Sequence, residues 1–366
     1  MHPGRYERLV ESICARGLDA LALVPGPNLF YLTGLSFHLS ERPVVALLPR
    51  VGEPAVILPR LEATKLEGHD GLVPFSYTDE EGHEEAFRRA CDALDLQDSV
   101  IGAEGLRMRL MEGQLLQAYA SGCRLVIADD VLMDLRMEKD ARELDQMRSA
   151  ITITERALGA TMDQVEARMS EREVASMLRI ELLRAGGDEM AFSPIVVAGP
   201  NAALPHAAPG DRPIQAGETL IVDCGASHGS YAADITRTFV IGGLDGEMSH
   251  VYDVVRAANR AGRGAVHPGV PAEEVDRAAR SVIEEAGYRE YFIHRTGHGL
   301  GLETHEPPYI VAGNGRRLDP GMVFTVEPGI YLPGRGGVRI EDDVLVTEDG
   351  VETLTTFRRE LVVLPL

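Results

Sequence analysis

Gly217-Glu-Thr-Leu-Ile-Val-Asp223-Cys-Gly225 and Gly321-Met-Val-Phe-Thr-Val-Glu327-Pro-Gly329 are two versions of one pattern, G-x5-[D/E]-x-G, set 104 residues apart. Each leads into a second segment with a further carboxylate: Asp234 in Tyr-Ala-Ala-Asp-Ile-Thr-Arg and Glu341 in Gly-Val-Arg-Ile-Glu-Asp-Asp. An acidic residue on a strand is ordinarily solvated, and a single buried one ordinarily sits in an ion pair. Asp223 follows Leu220-Ile-Val and Glu327 follows Val323-Phe-Thr-Val, so both lie inside apolar runs. A carboxylate buried there needs a proton, an arginine or a cation. Four of them on two paired hairpins suit a cage for a hard cation, and two cations so held activate water. The pattern reads as a hydrolase.

The repeat extends beyond the hairpins. Helices are predicted over 140–164 and 171–185 before the first hairpin, and over 249–264 and 272–286 before the second. The second helix of each pair shares E-V-x10-A-G, from Glu173-Val174 to Ala185-Gly186 and from Glu274-Val275 to Ala286-Gly287. Two α-α-β-β units facing each other predict an internal pseudo-two-fold, with a site at its centre. The first third of the chain alternates differently. Helices over 5–16, 80–94 and 107–121, a short one opening at Pro27, and strands over 18–24, 43–48, 55–58, 99–103 and 124–127 describe a small α/β domain. The expected division is an α/β domain over 1–132 and an α+β domain over 133–366.

Bulk properties narrow the function classes. The 366 residues are 45% hydrophobic and 25% charged, ordinary for a globular chain, and the formal charge is −21 without any Lys/Arg run. That balance argues against nucleic acid as a partner. Cys14, Cys91, Cys123 and Cys224 form no C-x-x-C pair, which points to a reducing compartment. Cys224, next to Asp223 on its strand, is expected on the opposite face. The N-terminus has no apolar signal core, and apolar runs such as 43–49 are too short to span a bilayer. A cytoplasmic protein with no membrane association is expected.

A fifth element, Thr296-Gly-His298-Gly-Leu-Gly301-Leu-Glu-Thr-His305-Glu-Pro-Pro, surrounds His298 with glycines that allow close backbone approach. Four oxygens and one nitrogen form a donor set for Mn²⁺, Co²⁺ or Fe²⁺ rather than for structural zinc. In the order Asp223, Asp234, His298, Glu327, Glu341, with the words D-x10-D, T-G-H-G-x-G, V-E-P-G and R-I-E-D around them, the chain resembles the M24 metallopeptidases, the pita-bread enzymes. The N-terminal part resembles the α/β domain of creatinase and the Xaa-Pro peptidases. The resemblance implies two divalent metal ions, manganese first, with cobalt or zinc as alternatives. It implies that Asp223 chelates one ion, that His298 and Glu327 hold the other, and that Asp234 and Glu341 bridge them. Glu327 would also relay a proton. His206 and His294 would bind substrate, His305 would contact the scissile carbonyl, and Arg339 would stand beside Glu341.

The implied reaction is hydrolysis of an Xaa-Pro bond at a free N-terminus in a proline-containing peptide, by an enzyme expected to be a homodimer. The favoured form is an Xaa-Pro dipeptidase, or prolidase. The alternative is aminopeptidase P, acting on longer peptides, and a non-catalytic pita-bread binding module is the remaining reading. Some prolidases carry an arginine shortly after His-Glu-x-Pro; Tyr309 occupies that position here. Arg42, held extended by Pro43, is the candidate to bind the dipeptide carboxylate instead.

Overall fold

Ala20–Leu23, Val45–Pro49 and Ala55–Pro59 contain no charged residue and are buried along their whole length. Continuous apolar runs of this kind belong to strands covered on both faces. In the computed structural model, which describes residues 2–69 and 71–365, they form the middle of a six-stranded sheet. The order across it is Val73–Tyr77, Ala55–Pro59, Val45–Pro49, Ala20–Leu23, Val100–Ala103 and Arg124–Ile127. Val45–Pro49 is antiparallel to both neighbours, and the remaining pairs are parallel. Helix Glu84–Ala93 turns Phe87, Ala90 and Cys91 into a core shared with Ile57, Phe75 and Ile101.

Three elements of this unit are absent from the sequence reading, the first being the 3-10 helix Arg60–Leu66. Strand Val73–Tyr77 carries Pro74, which an edge strand tolerates but which breaks the apolar signal. Helix Asp129–Met137 runs through position 132. The chain divides into two units, Met1–Arg136 and Met137–Leu366.

The second unit opens with helix Ala141–Met162. Its cap is reciprocal: the Asp140 side chain accepts from the Glu143 backbone N–H, and the Glu143 side chain accepts from that of Asp140. Ser170 and Glu173 repeat the arrangement at the start of Glu171–Arg184. Such caps are worth about 1 kcal/mol each and fix where the helices begin. Strands Ile195–Ala198, Thr219–Cys224 and Ile235–Ile241 follow as antiparallel neighbours, with Val362–Leu364 added alongside the last. In the second half, helices Gly246–Gly264 and Ala272–Glu285 precede strands Gly297–Gly299, Val323–Val326 and Asp342–Val346, again antiparallel neighbours in that order. Glu306–Ile310 and Val351–Thr353 flank them. The duplication therefore comprises two helices and three strands per half. Of the two first strands, Gly297–Gly299 carries no strand signal, whereas Ile195–Ala198 is a β-branched apolar run between Pro194 and Gly199 that the sequence reading passed over.

The two hairpins differ in register. Asp223 faces Thr236, whereas Val326 faces Asp342, which carries Glu327 on toward Glu341 beyond the end of the ladder. Asp234, Glu327 and Glu341 accordingly lie in the short breaks at strand ends rather than within strands. Along Thr219–Cys224 the pleat sends Leu220, Val222 and Cys224 into the core beside Val174, Leu178 and Leu182, leaving Asp223 on the opposite face. Burying each such aliphatic side chain contributes about 1.5–3 kcal/mol.

Beneath the second hairpin Asp342 is fully buried. It receives Arg237 Nη2 at 2.8 Å, Arg359 Nε at 2.7 Å and Arg263 Nε at 3.3 Å. Burial opposes its ionisation, but the three guanidiniums win and hold its pKa at about 2. A second buried ion pair joins Lys139 Nζ to Glu306 Oε1 at 2.7 Å, tying the segment before the first helix to the strand after His305.

Candidate metal centre and active site

The strand Gly297–Gly299 can approach its neighbour only because position 297 has no Cβ: one built there would meet Thr325 O at 1.8 Å. That proximity lets Thr325 Oγ1 accept from the His298 backbone N–H at 3.1 Å and donate to Glu327 Oε1 at 3.3 Å. His298 Nδ1 lies 3.1 Å from Gly299 O, which leaves Nε2 facing carboxylates: Glu327 Oε1 at 3.2 Å and Asp234 Oδ2 at 3.9 Å. One donor atom from each of Asp234, His298 and Glu341 lies within 4.8 Å of the others, and all three residues are buried. Thr236, on the other hairpin, donates from Oγ1 to Glu341 Oε2 at 2.5 Å.

Arg339 organises the opposite side. Its Nη2 donates to Asp223 Oδ2 at 2.6 Å, Nε donates to Thr236 Oγ1 at 3.1 Å, and Nη1 donates to the Tyr331 hydroxyl at 2.9 Å and to Pro205 O at 3.4 Å. Arg339 was expected beside Glu341. Its charge does act on Glu341, partly offsetting the effect of burial there, while its fork donates to Asp223 and its Nε reaches Glu341 Oε2 through the Thr236 hydroxyl as well. Tyr331 in turn lies 2.9 Å from His294 Nε2, and His294 Nδ1 lies 2.7 Å from Arg295 O. With Nδ1–H donating to that carbonyl, Nε2 accepts from Tyr331, whose oxygen accepts from Arg339. His294 is thereby fixed as the neutral ring, and burial lowers its pKa further.

The electrostatics are those of a site built for positive charge. Burial, then the negative charge of Glu341 and Asp223, pushes Asp234 well above the carboxylate range; burial, then Glu327 and Asp223, does the same to Glu341. Asp223 is raised by burial despite Arg339, and its Oδ1 is buried with no hydrogen-bond partner among the described residues. Glu327 goes the other way: burial opposes its charge, but His298, His294 and Arg339 hold it at about 2. Crowded buried carboxylates with an orphaned oxygen and one imidazole nitrogen fit a divalent cation of the oxygen-preferring or borderline kind.

A cavity of about 750 Å³ opens over this cluster. His206 lines it from the exposed loop after the short helix Gly199–Ala203, a loop anchored by the bond from Arg339 to Pro205 O. His305 lines it too, its ring edge-on to His298 with centroids 4.2 Å apart. Although His305 is exposed to the cavity, burial by the cavity walls and the neighbouring His298 and Arg295 lower its pKa to about 4, so the ring is neutral at physiological pH. Asp223, Asp234, His294, His298, Glu327, Arg339 and Glu341 complete the set of sequence-selected residues in its wall. Arg42 belongs to the first unit. Asp79 takes its Nε and Nη2, both at 2.8 Å, and Glu41 takes Nη1 at 2.8 Å.

The model of metallopeptidase family M24 matches residues 145–348, the part that builds this cluster, and the Creatinase/Prolidase N-terminal domain matches residues 5–138. The chain belongs to metallopeptidase family M24. A Mycobacterium tuberculosis protein named "Probable dipeptidase PepE" is 40% identical over 96% of this M24 chain and 93% of its own. Among solved structures, a dipeptidase from Pyrococcus horikoshii OT3 superposes with a TM-score of 0.94 at 38% identity, covering 98% of this chain and 100% of the other. A prolidase from Thermococcus sibiricus gives 0.94 at 36% identity, covering 100% and 99%. As a metallopeptidase, the protein takes divalent metal and peptide substrates.

Sequence reasoning missed several residues of this M24 site, among them Arg295, Tyr331 and Thr236. Tyr331 carried a usable signal, since it stands at i+2 from Gly329 and so on the same face of a buried strand. Thr236 carried one also: it stands at i+2 from Asp234 and so shares its face.

Proposed function

We propose that the protein is a dinuclear-metal Xaa-Pro dipeptidase. The observation that carries this reading is the buried group of carboxylates around His298, walled by His206, His294 and His305 in a single cavity. The similarity to proteins named dipeptidase and prolidase supports it. Asp223, Asp234, His298, Glu327 and Glu341 would hold two divalent ions, with Mn²⁺ preferred by the oxygen-rich donor set. Bound there, such ions supply an acidified water and polarise the scissile carbonyl.

The chain's own side chains do the rest. Glu327, ionised across the physiological range, accepts a proton at its carboxylate and passes it to the departing prolyl nitrogen. His305, a neutral ring, donates an N–H to the oxygen on which charge develops, a contact typically worth about 2.7–4 kcal/mol. Arg339 keeps Asp223 oriented through Oδ2 and holds the His206 loop through Pro205 O. His206 would bind the peptide from its loop, and His294, whose ring nitrogens are held by Arg295 O and Tyr331, would meet it through the ring it adds to the cavity wall.

All five donor residues are intact, which disfavours the binding-module reading. The deciding experiment compares proline release from Xaa-Pro with cleavage of Xaa-Pro-Yaa-Zaa by the Mn²⁺-loaded protein, with and without EDTA. Faster, EDTA-sensitive turnover of the dipeptide is expected. Preference for the longer peptide would move the assignment to aminopeptidase P.

A further inference from the structure

Arg295 lines the same cavity as His206 and His305, and it stands three residues before His298. Its guanidinium lies over the ring of Tyr309, 4.7 Å from the centroid. Tyr309 faces His298 across the ladder between Gly297–Gly299 and Glu306–Ile310, so the ring beneath the guanidinium is set by the strand pairing that places His298. The backbone of Arg295 is fixed as well, because its carbonyl accepts from His294 Nδ1.

No carboxylate pairs with Arg295 among the described residues. The other guanidiniums that a substrate carboxylate could use are engaged. Arg339 is committed to Asp223, Thr236, Tyr331 and Pro205, and Arg42 to Asp79 and Glu41. A guanidinium held over an aromatic face by its cationic charge still has N–H groups to offer, and its fork matches a carboxylate through two parallel hydrogen bonds. In a walled cavity of acidic floor, a permanent cation with no acidic partner is positioned for an anion brought by the ligand.

The substrate chemistry supplies that anion at the right place. In a dipeptide the terminal carboxylate carbon is two bonds from the scissile nitrogen; in a longer peptide the same position is an uncharged amide. We infer that Arg295, oriented by Tyr309, binds the free α-carboxylate of the dipeptide's second residue and thereby sets the preference for dipeptides. This rests on the peptidase reading of the cavity but not on proline as the second residue. Tyr309 acts as a platform, positioning the guanidinium without touching substrate charge itself.

The test uses full-length, Mn²⁺-loaded wild type, Arg295→Ala and Arg295→Lys on two matched pairs: Ala-Pro with Ala-Pro-amide, and Ala-Ala with Ala-Ala-amide. The quantity read is the acid-to-amide ratio of kcat/KM, which a merely structural defect would leave unchanged. Loss of a charge-assisted contact predicts that Arg295→Ala lowers this ratio by about tenfold or more, chiefly through KM for the acid. Arg295→Lys, which keeps the charge but not the fork, is expected to fall between. An unaltered ratio in Arg295→Ala, with acid and amide falling together or not at all, overturns the inference, as does a wild type that favours the amides. The proline reading is judged separately, between the pairs: equal cleavage of Ala-Ala and Ala-Pro would remove it, while the acid-to-amide ratio still decides Arg295.

Discussion

His298 and His305 touch edge to face, yet their predicted losses separate cleanly. His298 presents Nε2 to Glu327 and Asp234, whereas no carboxylate among the described residues forms an ion pair with His305, and its ring is neutral. His305→Ala should keep its full complement of metal while kcat falls by about 10²–10³-fold. Metal analysis of the purified variant settles the matter, since a loss of ions would make the residue a ligand. The opposite pattern is expected at the shared carboxylates. Asp234→Asn or Glu341→Gln removes a charge that the buried cluster needs, so both activity and bound metal should collapse together. Near-normal turnover with two ions per chain in either variant would refute the dinuclear assignment.

Each hairpin delivers its carboxylates through a different supporting structure. For the second, that structure is Asp342 with Arg237, Arg263 and Arg359. Asp342→Asn leaves three guanidiniums around a neutral amide, and breaking a buried pair this way costs about 3–5 kcal/mol. Chemical denaturation should show that loss; a change below about 1 kcal/mol would mean the arginines find other acceptors. Much at this scale was legible in advance. The repeated helix pair, the two hairpins and the glycine-flanked histidine followed from periodicity, and the carboxylates stood out because they interrupt apolar runs. What was hidden lies between distant segments. Arg339 donates to Asp223 across 116 residues of sequence, and nothing local to either strand records it. Strand Gly297–Gly299 escaped for a related reason, since three residues with two glycines carry neither alternation nor β-propensity.

For the whole molecule, protons and metal compete for the same carboxylates. Asp234, Glu341 and Asp343 are raised well above the usual range, first by burial and then by surrounding negative charge, though a bond from the Asp234 N–H partly relieves Asp343. Without metal, the folded form retains protons that the unfolded chain releases above about pH 4. Folded protein then binds more protons than unfolded, so stability of the stripped protein falls as pH rises past that point. Metal takes the place of those protons. The difference in Tm between loaded and stripped protein should therefore widen from about pH 5 to about pH 8, and a gap that stays constant across scanning calorimetry runs would contradict the coupling.

The Lys139–Glu306 pair has a practical corollary. Lysine occurs at only two positions in the chain, 65 and 139, so arginine carries nearly all the positive charge. The Lys65 side chain is exposed at the surface, where it pairs with Glu62, while the side chain of Lys139 is 1% exposed. An amine-reactive label should therefore enter the native protein at Lys65 among the side chains and reach Lys139 only when the structure opens. Because Glu306 adjoins His305, the labelling rate at Lys139 becomes a chemical clock for opening beside the catalytic cavity, readable by peptide mass analysis. Adding Mn²⁺ should slow that clock without altering the rate at Lys65.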